Sequence, residues 1–210
     1  MKTAEFPKLK RNLVAILRGL RPETALDYGR AIFEAGIEAI EVPLNSPDPF
    51  VSIERLVKAL PETTLLGAGT VLTAADVDRL HNTGGRLLVS PNIDADVMSR
   101  AAQHGMVTMP GVFTPTEAFQ AIALGASALK FFPANVLGAK GIAAIKAVLP
   151  ANTIIGAVGG VSEDDFADYA KAGVTAFGLG SSLFTPSLSV EDVALRARAA
   201  VIAYDEVYSE

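Results

Sequence analysis

One lysine of this chain stands where a lysine is costly. Lys130 lies inside Ala128-Leu129-Lys130-Phe131-Phe132-Pro133, a short apolar run that reads as a buried strand. An ammonium there must be paired, deprotonated or put to use, because burial penalises its charged form. Burial lowers a lysine pKa by up to roughly 3–5 units, which frees the amine lone pair near neutral pH. A free amine beside a cavity is the usual nucleophile for making an imine with a carbonyl compound. Taken alone, Lys130 equally fits a strand-end lysine that snorkels to solvent. A second charge in an apolar run shifts the balance. Glu41 sits in Ala39-Ile40-Glu41-Val42-Pro43. Side chains alternate along a strand, so Ala128, Lys130 and Phe132 share one face, as do Ala39, Glu41 and Pro43. Ile40, Val42, Leu129 and Phe131 then pack on the opposite face. If the first two faces meet in one interior, an amine and a carboxylate share a cavity. They form either a chemical pair or a structural ion pair. The chemical pair is favoured, because buried ion pairs are weak sources of stability and shifted pKa values gather at functional sites.

Eight β-rich runs carry these residues and their neighbours: 14–17, 39–42, 65–69, 87–90, 107–111, 128–132, 154–158 and 176–180. Helical periodicity fills the gaps, as in Ala25, Tyr28, Ile32 and Ala35, or Val51, Leu56, Val57 and Leu60. Thr73, Thr114 and Ser162 stand as helix caps, with Pro115 in a first turn and acids following each cap. Gly36, Gly84, Gly105, Gly125 and Gly173 sit where helices should stop. Strict alternation implies a parallel sheet with right-handed crossovers. Eight units predict an α/β fold, a single (β/α)₈ TIM barrel over residues 1–210, with a doubly wound open sheet as the weaker alternative. No linker, low-complexity stretch or composition shift marks a second domain.

In such a barrel the chemistry gathers at the carboxyl ends of the strands. The polar residues there are few: Arg18, Glu41, Asn45, Thr70, Ser90 and Lys130, with glycine-rich turns at Gly159-Gly160 and Gly180-Ser181-Ser182. Glycine lets backbone N–H groups approach an anion closely, and the loops after the last two strands are the recurrent phosphate site of these barrels. No basic residue is near them in sequence, so an anion would rest mainly on backbone dipoles. Ordinary tight turns are the plainer reading. Arg18 could fork onto a carboxylate or bridge at the rim. Thr70 could add donors to the same carboxylate or simply cap the third helix.

Composition excludes several classes. Half the residues are hydrophobic, a fifth are charged, and the mean hydropathy is +0.35. That suits a sheet buried on both faces. A net charge of −5 argues against nucleic-acid or anionic-membrane binding. No uninterrupted apolar stretch reaches membrane-spanning length, and residues 1–11 lack the apolar core of a secretory signal. A cytoplasmic protein is the expectation. There is no cysteine, hence no thiolate or disulfide chemistry. His81 and His104 fall in helices, and no cluster has metal-ligand spacing, so no metal is expected.

Assembled, these segments resemble the class I aldolases of the KDPG/KHG family, which cleave 2-keto-3-deoxy-6-phosphosugar acids. The matching motifs are Glu41-Val42-Pro43-Leu44, Gly67-Ala68-Gly69-Thr70-Val71-Leu72, Ser90-Pro91-Asn92, Lys130-Phe131-Phe132-Pro133-Ala134, Val158-Gly159-Gly160-Val161 and Gly180-Ser181. They run in order over nearly the whole chain. The resemblance implies that Lys130 forms the Schiff base and Glu41 transfers protons. It implies that Arg18 and Thr70 bind the pyruvate-derived carboxylate, and that Gly160, Gly180 and Ser181 hold the phosphate. It also implies products pyruvate and D-glyceraldehyde 3-phosphate, no cofactor, a small-molecule substrate as partner, and a homotrimer. Two positions depart from the gluconate-type pattern: Asn45 replaces an arginine, and Val158 replaces a threonine before the paired glycines. Both departures, and the opening Ala15-Ile16-Leu17-Arg18-Gly19, resemble the galactonate-type branch. The two substrates differ in configuration at C4, so Val158 and Asn45 are the expected specificity positions. A phosphate-binding barrel isomerase or epimerase, and a non-catalytic phosphosugar-binding protein, are the rival readings.

Overall fold

The computed structural model describes residues 3–208. Nine short parallel strands form the centre: β1 Leu13–Ile16, β2 Ala39–Pro43, β3 Leu65–Gly69, β4 Leu87–Val89, β5 Val107–Met109, β6 Gly111–Val112, β7 Leu129–Phe131, β8 Ile155–Val158 and β9 Ala176–Leu179. Among the described residues, eight α-helices alternate with them: α1 Ala25–Glu34, α2 Pro49–Ala59, α3 Ala74–Asn82, α4 Ala95–Gln103, α5 Pro115–Ala123, α6 Ala134–Lys146, α7 Phe166–Lys171 and α8 Val190–Tyr208. The expected helix starts hold. Thr73 accepts from the Asp76 N–H, Thr114 and Glu117 close a capping box, and so do Ser162 and Asp165.

The ninth strand comes from a break in a predicted one. Pro110 has no N–H to donate and interrupts the 107–112 segment, which leaves β5 and β6 as its two halves. The strand order runs β5-β4-β3-β2-β1-β9-β8-β7-β6, so its two ends belong to the same segment. On one side the Ser90 N–H donates to Met109 O at 3.3 Å. On the other, the N–H groups of Ala128, Lys130 and Phe132 donate to the carbonyls of Thr108, Pro110 and Val112 at 3.1, 3.0 and 3.1 Å. The ring therefore closes as a TIM-like α/β barrel with eight strand positions, and an open doubly wound sheet, which needs two free edges, is ruled out.

Alternation sorts the strand residues into two layers. Ile40, Val42, Leu129 and Phe131 join Leu13, Ala15, Leu66, Phe177 and their neighbours between sheet and helices. Val14, Ala39, Leu65, Leu87, Val89, Val107, Met109 and Ala128 fill the lower interior. Phe6 and Leu9 pack against that interior cluster, and the Ala4 N–H donates to Met106 O at 3.0 Å. The amino-terminal segment thus stoppers the barrel floor. The last helix packs on its own barrel: Val193, Ala197, Ala200 and Tyr204 are buried at helical spacing, and Tyr204 meets Phe166 and Phe177 edge-on.

Candidate active site

With apolar side chains closing the floor, the polar interior lies above, at the carboxyl ends of the strands. A cavity of about 440 Å³ opens there. Among its lining residues are Arg18, Glu41, Lys130, Val158, Gly160, Gly180 and Ser181, drawn from five different strand ends or the loops that follow them. The register explains the central pair. Glu41 stands level with Ile16 on β1 and Gly67 on β3, while Lys130 is flanked by Gly111 on β6 and Gly156 on β8. Long polar chains fit in so narrow a barrel because three of these four neighbours are glycines. A Cβ at Gly69 would lie 2.1 Å from Glu41 Oε2 and 2.3 Å from Oε1.

Lys130 is 6% exposed and Glu41 2%. Burial pushes the Glu41 carboxyl up to about 7, against the opposing pull of Lys130, Arg18 and the Gly69 amide. Burial pushes the Lys130 ammonium down to about 8; Glu41 opposes this and Arg18 adds to it. The two groups feel each other, yet the ion pairs of the described residues do not include one between them. Glu41 Oε2 is buried with no hydrogen-bond partner. An orphaned carboxylate oxygen is costly, and a structural ion pair would have satisfied it. The Lys130 Nζ sits 4.7 Å from the centroid of the Phe132 ring, whose face offers a weak cation site and little solvation.

At the rim, the loops after β1 and β2 are tied together. Arg18 Nη1 donates to Asn45 Oδ1, and the Gly19 N–H donates to Ser46 Oγ at 2.9 Å. An arginine at position 45 could not accept that bond; asparagine can, so Asn45 reaches the cavity through Arg18 rather than by lining it. Thr70 follows Gly69 in a left-handed backbone conformation (φ 56°), unusual for a β-branched residue. It is half-buried beside the cavity and outside its lining, and the cap of α3 is Thr73 rather than Thr70. The Ser90 hydroxyl is spent on Asn92 O at 2.7 Å. His104 bonds Asp78 and stacks on His81, away from the cavity lining.

The glycine loops meet on one side. Gly159 and Gly160 have φ of 95° and 67°, which a side chain would strain. Val158 fits beneath because Gly178 opposite has no side chain; a Cβ there would lie 2.7 Å from Val158 Cγ2. The wall formed by Phe184, Thr185 and Pro186 had no signal in the sequence. Those residues follow the last strand in a stretch that reads as an ordinary turn, and Phe184 gains its place by an edge-on contact with Tyr28 at 5.1 Å. Among the described residues, no three His, Cys, Asp or Glu side chains are grouped to hold a metal ion, and no helix is long and apolar enough to cross a membrane.

The chain is similar to known proteins over nearly its full length. It is 60% identical over 208 residues to a probable 2-dehydro-3-deoxy-6-phosphogalactonate aldolase of Rhizobium meliloti (strain 1021), covering 99% of this chain and 98% of the relative. It is 46% identical over 194 residues to the 2-dehydro-3-deoxy-6-phosphogalactonate aldolase of Escherichia coli (strain K12), covering 92% and 95%. A solved structure described as native KDPGal superposes with a TM-score of 0.95 at 44% identity, covering 98% of this chain and all of the other. The family model for KDPG and KHG aldolases matches residues 7–198, a span that holds every strand and every residue of the cavity lining. The chain therefore belongs to the KDPG and KHG aldolase family.

Proposed function

We propose that this protein is a class I aldolase that cleaves 2-dehydro-3-deoxy-6-phospho-D-galactonate to pyruvate and D-glyceraldehyde 3-phosphate. The observation that carries the reading is the buried, unpaired couple of Lys130 and Glu41 in one cavity. The neutral Lys130 amine attacks the C2 ketone, and loss of water leaves a protonated imine. The imine withdraws electrons as the C3–C4 bond breaks, while Glu41 takes the C4 hydroxyl proton directly or through one water. Glyceraldehyde 3-phosphate departs. Glu41 returns the proton to C3 of the enamine, and hydrolysis frees pyruvate and the amine. The imine is the electron sink, so the scheme needs no metal or organic cofactor.

Arg18 and Thr70 bind the carboxylate, and Gly160, Gly180 and Ser181 hold the phosphate through backbone donors. Val158 leaves the C4 region without a hydroxyl donor, which together with Asn45 supports the galactonate epimer; the gluconate substrate is the second reading. We place the chain as one domain acting in the cytoplasm on sugar acids, with no nucleic-acid or membrane partner. The family resemblance supports a homotrimer.

Borohydride reduction with pyruvate followed by mass spectrometry tests the chemistry. An adduct on Lys130, lost in Lys130→Ala, is the expected result. Full cleavage activity of Lys130→Ala, or strong inhibition by a chelator, would overturn the scheme and favour a barrel isomerase or a non-catalytic binder. Assay with both epimers decides between galactonate and gluconate.

A further inference from the structure

The glycine loops have no basic residue near them in sequence, but the fold brings one behind them. Arg196 on α8 donates from Nη1 to the carbonyl of Ser181 at 3.3 Å and to that of Ser182 at 3.2 Å. Its position is set by buried neighbours on the same helix, Val193, Ala197 and Ala200. Among the described residues it joins no ion pair. The loop is otherwise well tied. Leu183 and Phe184 donate their N–H groups to Gly180 O at 2.9 and 2.8 Å, and Ser182 Oγ donates to Val161 O at 2.9 Å, joining the loops after β8 and β9. The N–H groups of Ser181 and Ser182 have no acceptor among the described residues. In a trans peptide the carbonyl and the following N–H point opposite ways. Drawing the Ser181 carbonyl toward α8 therefore turns the Ser182 N–H away from α8. Gly180 and Ser181 line the cavity, and Gly180 has open space where a Cβ would stand.

We propose that Arg196 is a positioning residue for the anionic end of the substrate. It aims and polarises the peptide donors of the loop after β9 and adds a positive field behind them, without touching the ligand. The proposal rests on the aldolase reading for the identity of the anion, a phosphate monoester, but not for its test. Calorimetry with inorganic phosphate reads the site whether or not the protein cleaves a sugar acid.

The experiment compares wild type, Arg196→Met and Arg196→Lys in phosphate affinity, steady-state kinetics on the phosphorylated sugar acid, and borohydride trapping of pyruvate. In Arg196→Met, phosphate affinity should weaken and KM should rise by about tenfold, with kcat changed less than about threefold. Pyruvate trapping should be unchanged, and Arg196→Lys should recover part of the loss. Unchanged phosphate affinity in Arg196→Met overturns the proposal. So does an equal loss of kcat and trapping with KM unaltered, which would mark a general structural role. If Arg196→Met fails to fold, Arg196→Lys decides alone: weaker phosphate binding supports the role and wild-type affinity overturns it. A wild type that binds phosphate but traps no pyruvate would defeat the aldolase reading and leave Arg196 to be judged on phosphate affinity.

Discussion

At the scale of single residues, the site is governed by two opposed shifts with one cause. Loss of solvent raises Glu41 to about 7 and lowers Lys130 to about 8. Near neutral pH each group then has access to both protonation states, which suits a carboxylate that must accept and return a proton and an amine that must attack. Imine formation needs neutral Lys130, whose population grows as pH rises through its pKa. Trapping of pyruvate should therefore climb between about pH 7 and 9 and then level, where an ordinary lysine of pKa about 10.4 would keep climbing. Glu41→Gln removes the charge that favours the ammonium, so the climb should move to lower pH. Cleavage should fall by about 10²–10⁴ while trapping persists. A trapping midpoint near 10 in the wild type would contradict the buried-amine account.

At the scale of elements, the helix caps and glycine stops needed only local chemistry. Thr114 with Glu117 and Ser162 with Asp165 cap as their spacing requires. The strand faces followed from alternation, because every sheet residue in a closed barrel faces either the interior or the helices. Pro110 shows the limit of that reasoning. The apolar run 107–111 continues through it and the Pro110 carbonyl still accepts from Lys130, but the strand is split there, since proline offers no donor. Gly69 matters for the space it leaves rather than for its backbone. A methyl at Gly69→Ala would press on both Glu41 oxygens and displace the carboxylate. We expect a loss of about 1–3 kcal/mol in denaturant titrations. Cleavage should fall at least about tenfold, with pyruvate still trapped on Lys130.

At the scale of the molecule, the barrel must be closed below for its upper half to be a dry cavity. Phe6 and Leu9 supply that closure by packing on the Val14, Leu65, Leu87 and Met109 cluster. The segment is held by the Ala4 N–H on Met106 O and by Arg11, whose guanidinium bonds both carboxylate oxygens of Asp205 on α8. Phe6→Ala should lower stability by about 2 kcal/mol, because a half-buried phenyl ring leaves the floor. Thermal melting checks this. An unchanged midpoint would mean that the segment rests on the barrel without stoppering it.

The sequence alone determined the alternation of strands and helices, the pair of charges in apolar runs, and the glycine loops after the last two strands. Each is a local pattern whose physical cost is legible without neighbours: a buried charge, a missing side chain, a two-residue period. Tertiary structure alone decided what meets what. It left Glu41 Oε2 without a partner, though spacing allowed an ion pair. It joined Asn45 to Arg18, residues whose proximity depends on two strands lying side by side. It held Thr70 beside the cavity rather than in its lining, and it brought Phe184 and Pro186 into the wall. It also set Arg196 behind a loop that had no cation near it in sequence. Such contacts depend on register and barrel closure, which hydrogen bonds between distant segments fix and no local window of residues contains.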